Sequence, residues 1–272
     1  MIYPNSKINI GLNVVSRRPD GYHELETVFL PIGLHDELEV TVDLHTSGCA
    51  LTTSGIPVLC PESDNLIVRA YNLMRDKYDI GGVRVHLHKQ VPFGAGLGGG
   101  SADAAYMLIE LNRLFAIGLS ETELESYAAQ LGADCPFFIR NAPVYATGIG
   151  NIFQPVSLHL SGMWLMLVKP EVSVSTAEAY RGIRPHQPQC SLKQMVEQRP
   201  IATWRDHVVN DFETTVFPLY PEIKHIKQQL YELGAAYASM SGSGSSVYGF
   251  FEDKPMNLSC LHNCFVYVEH LR

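Results

Sequence analysis

A glycine-rich segment carries the clearest chemistry in the sequence. Residues 92–101 read Pro-Phe-Gly-Ala-Gly-Leu-Gly-Gly-Gly-Ser. Glycine adopts positive φ readily, so a loop of this composition can turn several backbone N–H groups to one side. Because a predicted helix begins directly after the segment, these amides would lie at the positive end of a helix dipole. The sequence therefore predicts a phosphate-binding loop made from the backbone, which we call the glycine-rich loop.

Two familiar glycine motifs fit this loop only in part. Gly94, Gly96 and Gly99 have the dinucleotide-binding spacing, but that motif also requires an acidic residue about 20 positions further on, at the end of a strand. Helix and turn sequence lies there instead. The P-loop spacing fits Gly94, Gly99 and Ser101, but Gly100 stands where the lysine is required. A plain hinge would need fewer glycines and would not explain the helix that follows.

Regular hydrophobic spacing predicts the elements that must position this loop. A strictly alternating strand over 83–88 precedes it, and a helix over 101–115 follows it. Further helices are predicted over 65–74, with Ser63 or Asp64 as N-cap, from Ser120 to Gly132, with a Ser120–Glu123 capping box, and over 223–233. Strands are predicted over 8–15, 37–42, 164–168 and 247–251, and a strand and turn over 144–155. This mixture indicates an α+β fold.

Composition restricts the class of protein. The 272 residues, 46% of them hydrophobic, can form one large domain or two ordinary ones, and we predict domains over 1–150 and 151–272. A net charge of −8 disfavours broad nucleic-acid binding. No apolar run approaches the roughly 20 residues that cross a bilayer, and the N-terminus lacks a signal or transit pattern. We therefore expect a cytoplasmic protein without a membrane or nucleic-acid partner.

The six cysteines indicate neither a disulfide framework nor a metal site. They are scattered along the chain, as is typical of reduced thiols. Only Cys260 and Cys264, with His262 between them, are clustered, and no second cysteine pair completes a four-ligand zinc site. We assign no metal-ligating residue.

Three segments in the same order and spacing resemble the GHMP kinases, the family of galactokinase, homoserine kinase and mevalonate kinase. Residues 6–10 (Ser-Lys-Ile-Asn-Ile) resemble its N-terminal motif, residues 92–105 its second motif, and residues 239–246 (Ser-Met-Ser-Gly-Ser-Gly-Ser-Ser) its glycine-rich C-terminal motif. Within the family, residues 18–25, 64–67 and 132–138 resemble the branch whose acceptor is a cytidine-diphospho sugar alcohol. The Gly-Glu-His signature of mevalonate kinases and galactokinases is absent near the start.

The resemblance implies a fold and an activity. The fold would have an N-terminal domain like ribosomal protein S5 and a C-terminal ferredoxin-like α/β domain. The activity would be transfer of the γ-phosphoryl group of ATP, accompanied by Mg²⁺, to the 2-hydroxyl of the sugar alcohol. This reaction belongs to the non-mevalonate route to isoprenoid precursors. Such an enzyme would bind two small molecules and exist as a monomer or weak homodimer.

The resemblance also assigns the catalytic and acceptor-binding residues. Asp134, in the Gly-Ala-Asp context between Gly132 and an apolar strand-like stretch, would be the base, and the Lys7 ammonium would favour its ionised form. Tyr22 and His23 resemble the cytidine-recognition pair, and Tyr180 would be a second aromatic wall, although a tyrosine of the core or surface is an equally good interpretation. Asn9 and Thr176 are further candidates for hydrogen bonds to the acceptor.

The nucleotide residues follow from the second motif. Asn65 would lie near adenine or simply cap its helix. Lys89, at the end of a strand, could face the nucleotide. Ser101 would touch a phosphate or Mg²⁺, or cap the helix. The implied ATP-binding set is Asn65, Lys89, Pro92, Phe93, Gly94, Ala95, Gly96, Leu97, Gly98, Gly99, Gly100, Ser101 and Ala102. Gly242 and Gly244 would let the C-terminal motif pack against the glycine-rich loop.

The sequence departs from the family's motifs at some positions, and other functions stay open as hypotheses. The first motif usually reads Pro-Ala-Lys, whereas Asn5 and Ser6 precede Lys7 here, so the approach of Lys7 is not fixed by the resemblance. Residues 185–215 match weakly and supply no contacts. Another GHMP kinase acting on mevalonate-type or homoserine substrates is a second hypothesis, against which residues 18–25 argue. A non-catalytic ligand sensor is a third, against which Lys7 and Asp134 argue.

Overall fold

The computed structural model describes residues 1–256 and 258–272. These residues form two units, each assembled from segments that are not consecutive in the sequence. The first unit contains Met1–Lys7, Pro31–Phe93 and Gly98–Ala142, and the second contains Ile8–Leu30, Gly94–Leu97 and Pro143–Arg272. The segment 8–30 groups with the C-terminal half because Thr27, Val28 and Phe29 pair with residues 144–146. The division at residue 150 stays a prediction about the sequence domains.

Helices and strands are mixed along the chain, which confirms the predicted α+β class. In chain order the elements are β1 (Asn5–Arg17), β2 (His23–His35), β3 (Glu37–Val42), β4 (Cys49–Gly55), α1 (Leu66–Arg75), β5 (Val83–Lys89), α2 (Gly99–Leu114), α3 (Glu121–Ala128), α4 (Cys135–Arg140), β6 (Val144–Thr147), β7 (Ile152–Pro155), β8 (Trp164–Lys169), α5 (Thr176–Tyr180), α6 (Leu192–Gln198), α7 (Glu213–Leu219), α8 (Pro221–Glu232), β9 (Tyr237–Met240), β10 (Val247–Phe251) and β11 (Phe265–His270).

The first unit is built on a three-stranded sheet in the order β3-β5-β4. β5 pairs antiparallel with β3 and parallel with β4, and α1 is the crossover that the parallel pair requires. Alternation along β5 buries Val83, Val85 and Leu87 and turns Arg84 and His86 outward. The buried residues share one core with apolar residues of α1, α2 and α3. This core supports the end of β5 and the start of α2, between which the glycine-rich loop lies.

The second unit contains most of two four-stranded sheets, with the orders β1-β2-β6-β7 and β11-β8-β10-β9. Its core joins Met166 and Val168 of β8 and Val247 of β10 to Ile223 and Leu230 of α8. The amphipathic pattern of 223–233 thus packs one face of α8 on the sheet.

Most predicted elements are present with small shifts at their ends. The helix predicted over 101–115 begins two residues earlier, at Gly99, and the capping box of Ser120 and Glu123 is formed. Asn65, not Ser63 or Asp64, caps α1, because its side chain accepts a hydrogen bond from the Ile67 N–H. The strand-like interpretation of the stretch after Asp134 is wrong: it is the helix α4. Pro136 fits there because the first turn of a helix needs no N–H partner at that position.

Candidate active site

Lys7 and Asp134 meet in the first unit. Lys7 lies in β1, and Asp134 occupies the N-cap position of α4. The Lys7 Nζ is 3.4 Å from the Asp134 Oδ2; the lysine side chain is 4% exposed and the aspartate side chain 35%. The structure therefore brings the two predicted residues together as a buried ammonium beside an accessible carboxylate. A carboxylate in this environment can accept a proton from a neighbouring hydroxyl while the ammonium stabilises negative charge.

Hydrogen bonds of Asn5 and Ser6 fix the chain at the start of β1. The buried Ser6 hydroxyl donates to the Leu34 carbonyl at 2.7 Å. The Asn5 Oδ1 accepts from the Tyr106 hydroxyl and from the Asn141 Nδ2, each at 2.8 Å. The residues that depart from the usual first motif are thus accommodated by polar partners in the same unit. Lys7 follows directly from this anchored segment.

The second half of the glycine-rich loop forms the start of α2. Gly98 is its N-cap with φ of 69°, so the first N–H groups of α2 follow a left-handed residue that favours glycine. A Cβ on Gly98 would lie 2.9 Å from the Phe138 ring and 3.3 Å from the Lys7 Cε. The lysine stem therefore passes close to the loop, and no side chain fits between them. The helix start has the features of an anion-binding turn next to the Lys7–Asp134 pair.

Ser101 lies in the first turn of α2 and is not the N-cap. It hydrogen-bonds with the Cys135 thiol, and burial raises the pKa of this thiol to about 11. Cys135 directly follows Asp134, so the Ser101 side chain is held at the same end of α4 as the candidate base.

The environment of Lys89 does not support its prediction as a cation that faces the nucleotide. Its side chain is 1% exposed, and the ammonium donates to the Asp36 Oδ2 and to the Asp103 Oδ2. Burial acts to lower the pKa of Lys89, but Asp103 and Asp36 outweigh it and raise the pKa. The ammonium is charged and already neutralised by buried carboxylates. Neither aspartate was identified from the sequence, since each lies far along the chain from Lys89.

The other predicted nucleotide residues of the first unit differ in accessibility. The Asn65 Oδ1 accepts the Ile67 N–H at 2.9 Å, so this side chain acts as a helix cap, the alternative interpretation given above. The Phe93 ring is 41% exposed and lies 5.2 Å from the Lys89 Nζ. Ala102 is fully buried. Pro92, Gly99 and Gly100 complete the set in this unit.

The first half of the glycine-rich loop belongs to the second unit, where it packs on residues 239–246, which we call the serine-glycine loop. The Ser245 N–H donates to the Gly94 carbonyl at 3.1 Å, the Ser246 N–H to the Ala95 carbonyl at 3.2 Å, and the Ser241 hydroxyl to the Gly96 carbonyl at 2.8 Å. The predicted packing of these two loops is therefore present. Ala95 and Leu97 are buried, so only their backbone is available to a ligand.

Asn9 is buried beneath the serine-glycine loop. Its N–H donates to the Ser241 Oγ at 3.2 Å, and its Nδ2 donates to the Thr27 Oγ1 at 3.0 Å. The Thr176 Oγ1, at the start of α5, is 3.4 Å from the Ser243 Oγ of the same loop. Asn210, which the sequence did not indicate, holds this loop by donating to the Met240 and Gly242 carbonyls, each at 2.8 Å.

The predicted aromatic residues lie in the same unit. The rings of His23 and Tyr180 stack with centroids 4.7 Å apart, and Tyr180 also meets the edge of Phe212 at 4.8 Å. Tyr22 is 62% exposed in the turn before β2. Burial and, to a smaller extent, Arg17 lower the pKa of His23, so its ring is neutral at pH 7 and can both donate and accept a hydrogen bond. This cluster can stack on a planar heterocycle and contact its polar edge.

Two further observations concern metals and membranes. Among the residues that the structure describes, no group of three or more His, Cys, Asp or Glu side chains is arranged to hold a metal ion. No helix in this part of the chain has the length and apolar character that crossing a membrane requires.

Comparison with known proteins identifies the family. Residues 65–141 match the family "GHMP kinases N terminal domain", and residues 193–256 match "GHMP kinases C terminal". The chain belongs to the GHMP kinase family. The two-domain GHMP kinase fold and the enzyme class expected from the resemblance, a kinase, are therefore confirmed.

Individual relatives match this GHMP kinase over nearly its whole length. A 4-diphosphocytidyl-2-C-methyl-D-erythritol kinase of Parabacteroides distasonis is 52% identical over 268 residues, covering 97% of each chain. A solved structure of a 4-(cytidine 5'-diphospho)-2C-methyl-D-erythritol kinase is 32% identical, with a TM-score of 0.80 and 98% of each chain covered. A Methanococcus jannaschii mevalonate kinase has a TM-score of 0.72 over 100% of this chain and 98% of its own, but at 11% identity it shows the fold alone.

Proposed function

We propose that this GHMP kinase transfers the γ-phosphoryl group of ATP to the 2-hydroxyl of 4-diphosphocytidyl-2-C-methyl-D-erythritol, giving the 2-phosphate and ADP. The observation that carries the proposal is the identity of 52%, over 97% of the chain, with a kinase of that name. The Lys7–Asp134 pair supports a catalytic role over a sensor. The reaction would supply the non-mevalonate route to isoprenoid precursors.

The Lys7–Asp134 pair supplies what the phosphoryl transfer requires. The acceptor oxygen forms a bond to the γ-phosphorus as the bond between that phosphorus and the β–γ bridging oxygen breaks, and ADP leaves. The Asp134 carboxylate accepts the proton that the acceptor hydroxyl loses. The Lys7 ammonium, 3.4 Å from that carboxylate, stabilises the charge on the attacking oxygen and the transferred group.

The start of α2 would hold the ATP phosphates. Its first N–H groups follow Gly98 and need no ionic side chain to bind an anion. Mg²⁺ commonly binds through substrate phosphates and one or two protein oxygens, so a dedicated protein cage is not required. The Ser101 hydroxyl, in the first turn of α2, fits as such an oxygen. When bound, Mg²⁺ would neutralise phosphate charge.

The aromatic cluster would recognise the cytidine group. Stacking between Tyr180 and His23 offers a flat apolar surface, Tyr22 adds an exposed ring, and the neutral His23 can hydrogen-bond with the edge of the base. Asn9 and Thr176 stay proposals as acceptor contacts. The Asn9 amide already donates to Thr27, so its contribution would come through the serine-glycine loop that it supports.

ADP release on a panel of acceptors tests this function. We expect turnover of the cytidine-diphospho sugar alcohol with Mg-ATP and essentially none of mevalonate or homoserine. Preference for either of those acceptors would overturn the assignment within the family. Tight binding of the cytidine compound without any turnover would identify a sensor instead.

Removal of the Tyr180 ring should weaken binding of the acceptor and spare ATP. We expect Tyr180→Ala to raise the KM for the acceptor by about tenfold or more, because stacking of a base on an aromatic ring contributes about 1–3 kcal/mol. The KM for ATP should remain near the wild-type value. Tyr180→Phe is the matched control, since it keeps the ring that contacts His23 and Phe212. Equal KM values for the acceptor in the two variants would count against this cytidine site.

We also propose that the kinase works in the cytoplasm as a monomer or weak homodimer. All six cysteines are free thiols in the structure, which is typical of a reducing compartment. Sedimentation across a range of concentrations would measure the oligomeric state.

A further inference from the structure

The outer edge of β1 is covered by two other segments of the second unit. β1 is the end strand of its sheet, so its outward N–H and C=O groups need partners from outside the sheet. The Leu12 N–H donates to the Val209 carbonyl at 2.8 Å, and the Leu12 carbonyl accepts the Asp211 N–H at 2.9 Å. The chain then turns into α7, which begins at Glu213. Val14, further along the same edge, therefore has different partners.

Asp211 and His186 supply the partners of Val14. The Val14 N–H donates to the Asp211 Oδ2 at 2.7 Å, and the Val14 carbonyl accepts the His186 N–H at 3.0 Å. The His186 Nδ1 lies 3.5 Å from the same Oδ2. Val14 is fully buried, so loss of either hydrogen bond would leave a buried backbone group without a partner. The Asp211 carboxylate thus connects the edge of the sheet to the segment that contains His186.

The loop that ends at His186 is also held at its start. Residues 181–185, which we call the connecting loop, join Tyr180 at the end of α5 to His186. The Tyr180 ring meets the edge of Phe212 with centroids 4.8 Å apart, and Phe212 directly follows Asp211 in the chain. Two adjacent residues therefore hold both ends of the connecting loop. One of these ends is the tyrosine of the aromatic cluster.

A carboxylate at position 211 has a cost that an amide would avoid. The Asp211 side chain is only 13% exposed. Burial raises the pKa of its carboxyl, while the Val14 N–H and His186 oppose this effect. An asparagine oxygen would also accept the Val14 N–H, without the cost of a buried charge. The carboxylate adds a charged partner for the His186 imidazole, and this interaction acts on the connecting loop.

We propose that Asp211 is a positioning residue of the acceptor site. It fixes the end of the connecting loop through His186, and the neighbouring Phe212 fixes the Tyr180 ring at its start. With both ends held, Tyr180 keeps the orientation in which it stacks on His23, so this surface is formed before the acceptor binds. The inference rests on the proposed function in one respect, that the cytidine group of the acceptor binds to the Tyr180 and His23 rings.

Steady-state kinetics with the cytidine-diphospho sugar alcohol separate positioning from general destabilisation. We expect Asp211→Ala to raise the KM for this acceptor about tenfold, because binding must then order the released loop. His186→Ala, at a side chain that is 52% exposed, should raise this KM about threefold and keep the hydrogen bond between Asp211 and Val14. The kcat and the KM for ATP should stay within about twofold of the wild-type values. Asp206→Ala and His207→Ala remove the same side chains at exposed positions and should change none of these constants.

A double variant tests whether Asp211 acts through His186. Asp211→Asn still accepts the Val14 N–H but lacks the charge that faces the imidazole. It should therefore raise the KM for the acceptor about as much as His186→Ala does, and combining the two substitutions should add little. Fully additive effects, or an effect of Asp211→Asn without one of His186→Ala, would contradict the proposed route.

Proton NMR of the unliganded chain at pH 7 gives a readout that needs no turnover. Stacking on Tyr180 shifts the ring-proton signals of His23, which are those missing in His23→Gln, and Tyr180→Ala gives the unstacked reference. We expect these signals in Asp211→Ala and His186→Ala to move part of the way to that reference. If Asp211→Ala does not fold, His186→Ala decides the matter, because its side chain is half exposed.

A merely structural role gives a different result. The folded variants would then have a lower Tm but wild-type His23 signals and an unchanged KM for the acceptor, which would overturn the inference. A parallel rise in the KM for ATP would show general loosening and also overturn it. Failure of the acceptor panel with the expected movement of the His23 signals would instead refute only the proposed function.

Discussion

Replacing Asp134 by asparagine should lower kcat by about 10²- to 10⁴-fold, the usual contribution of a positioned general base. Asparagine has nearly the same shape and keeps the N-cap position of α4, but it cannot accept the proton of the acceptor hydroxyl. The KM values should change little, because the loss falls on the transition state. Steady-state ADP release with the cytidine-diphospho sugar alcohol measures the effect.

Lys7→Met should give a loss of the same order for a different reason. The substitution keeps an apolar stem next to Gly98 and removes the ammonium that lies 3.4 Å from Asp134. In the proposed mechanism the two side chains act on the same transfer, so the double variant should lose far less than the product of the single losses. Asp79→Asn makes the same chemical change as Asp134→Asn at an exposed site and should leave turnover intact. Folded single variants with near-normal turnover would remove both residues from the mechanism.

Local sequence patterns predicted the helices and strands, but not which side chains far apart in the sequence would meet. Glycine spacing and the helix that follows it were enough to predict the turn at the start of α2, since both features lie within a short stretch of chain. That this turn binds phosphate stays a prediction. The meeting of Lys7 and Asp134 depends on how β1 and α4 pack, and only the family resemblance indicated it. The stacking of His23 on Tyr180 became visible for the same reason only in the structure.

Lys89 shows where residue type alone gives the wrong environment. A lysine that ends a strand just before a phosphate-binding loop is a natural candidate to contact a phosphate. Its actual partners, Asp36 and Asp103, lie on two other elements, and only the packing of α2 against the sheet buries all three. The apolar stretch in α4 was ambiguous in a similar way, because a short buried helix and a short strand have the same composition.

Replacing Gly96 by alanine should destabilise the folded chain by about 2–4 kcal/mol. Gly96 has φ of +71°, and a Cβ there would lie 2.0 Å from the Ser241 carbonyl oxygen and 3.2 Å from the Gly244 nitrogen. These atoms belong to the backbone, so no side-chain rotation can relieve the contact. Unfolding followed by circular dichroism should show a Tm lower by roughly 5–15 °C.

The control must separate backbone strain from collision between the two loops. Gly118 also has positive φ, at +82°, but a Cβ there would meet nothing within 4 Å. Gly118→Ala should therefore cost only about 1 kcal/mol, the strain of a left-handed alanine. The additional loss in Gly96→Ala measures how tightly the serine-glycine loop holds the glycine-rich loop, and it should be accompanied by weaker Mg-ADP binding. Equal losses in the two variants would mean that the two loops separate easily, and that the serine-glycine loop is not what holds the glycine-rich loop in place.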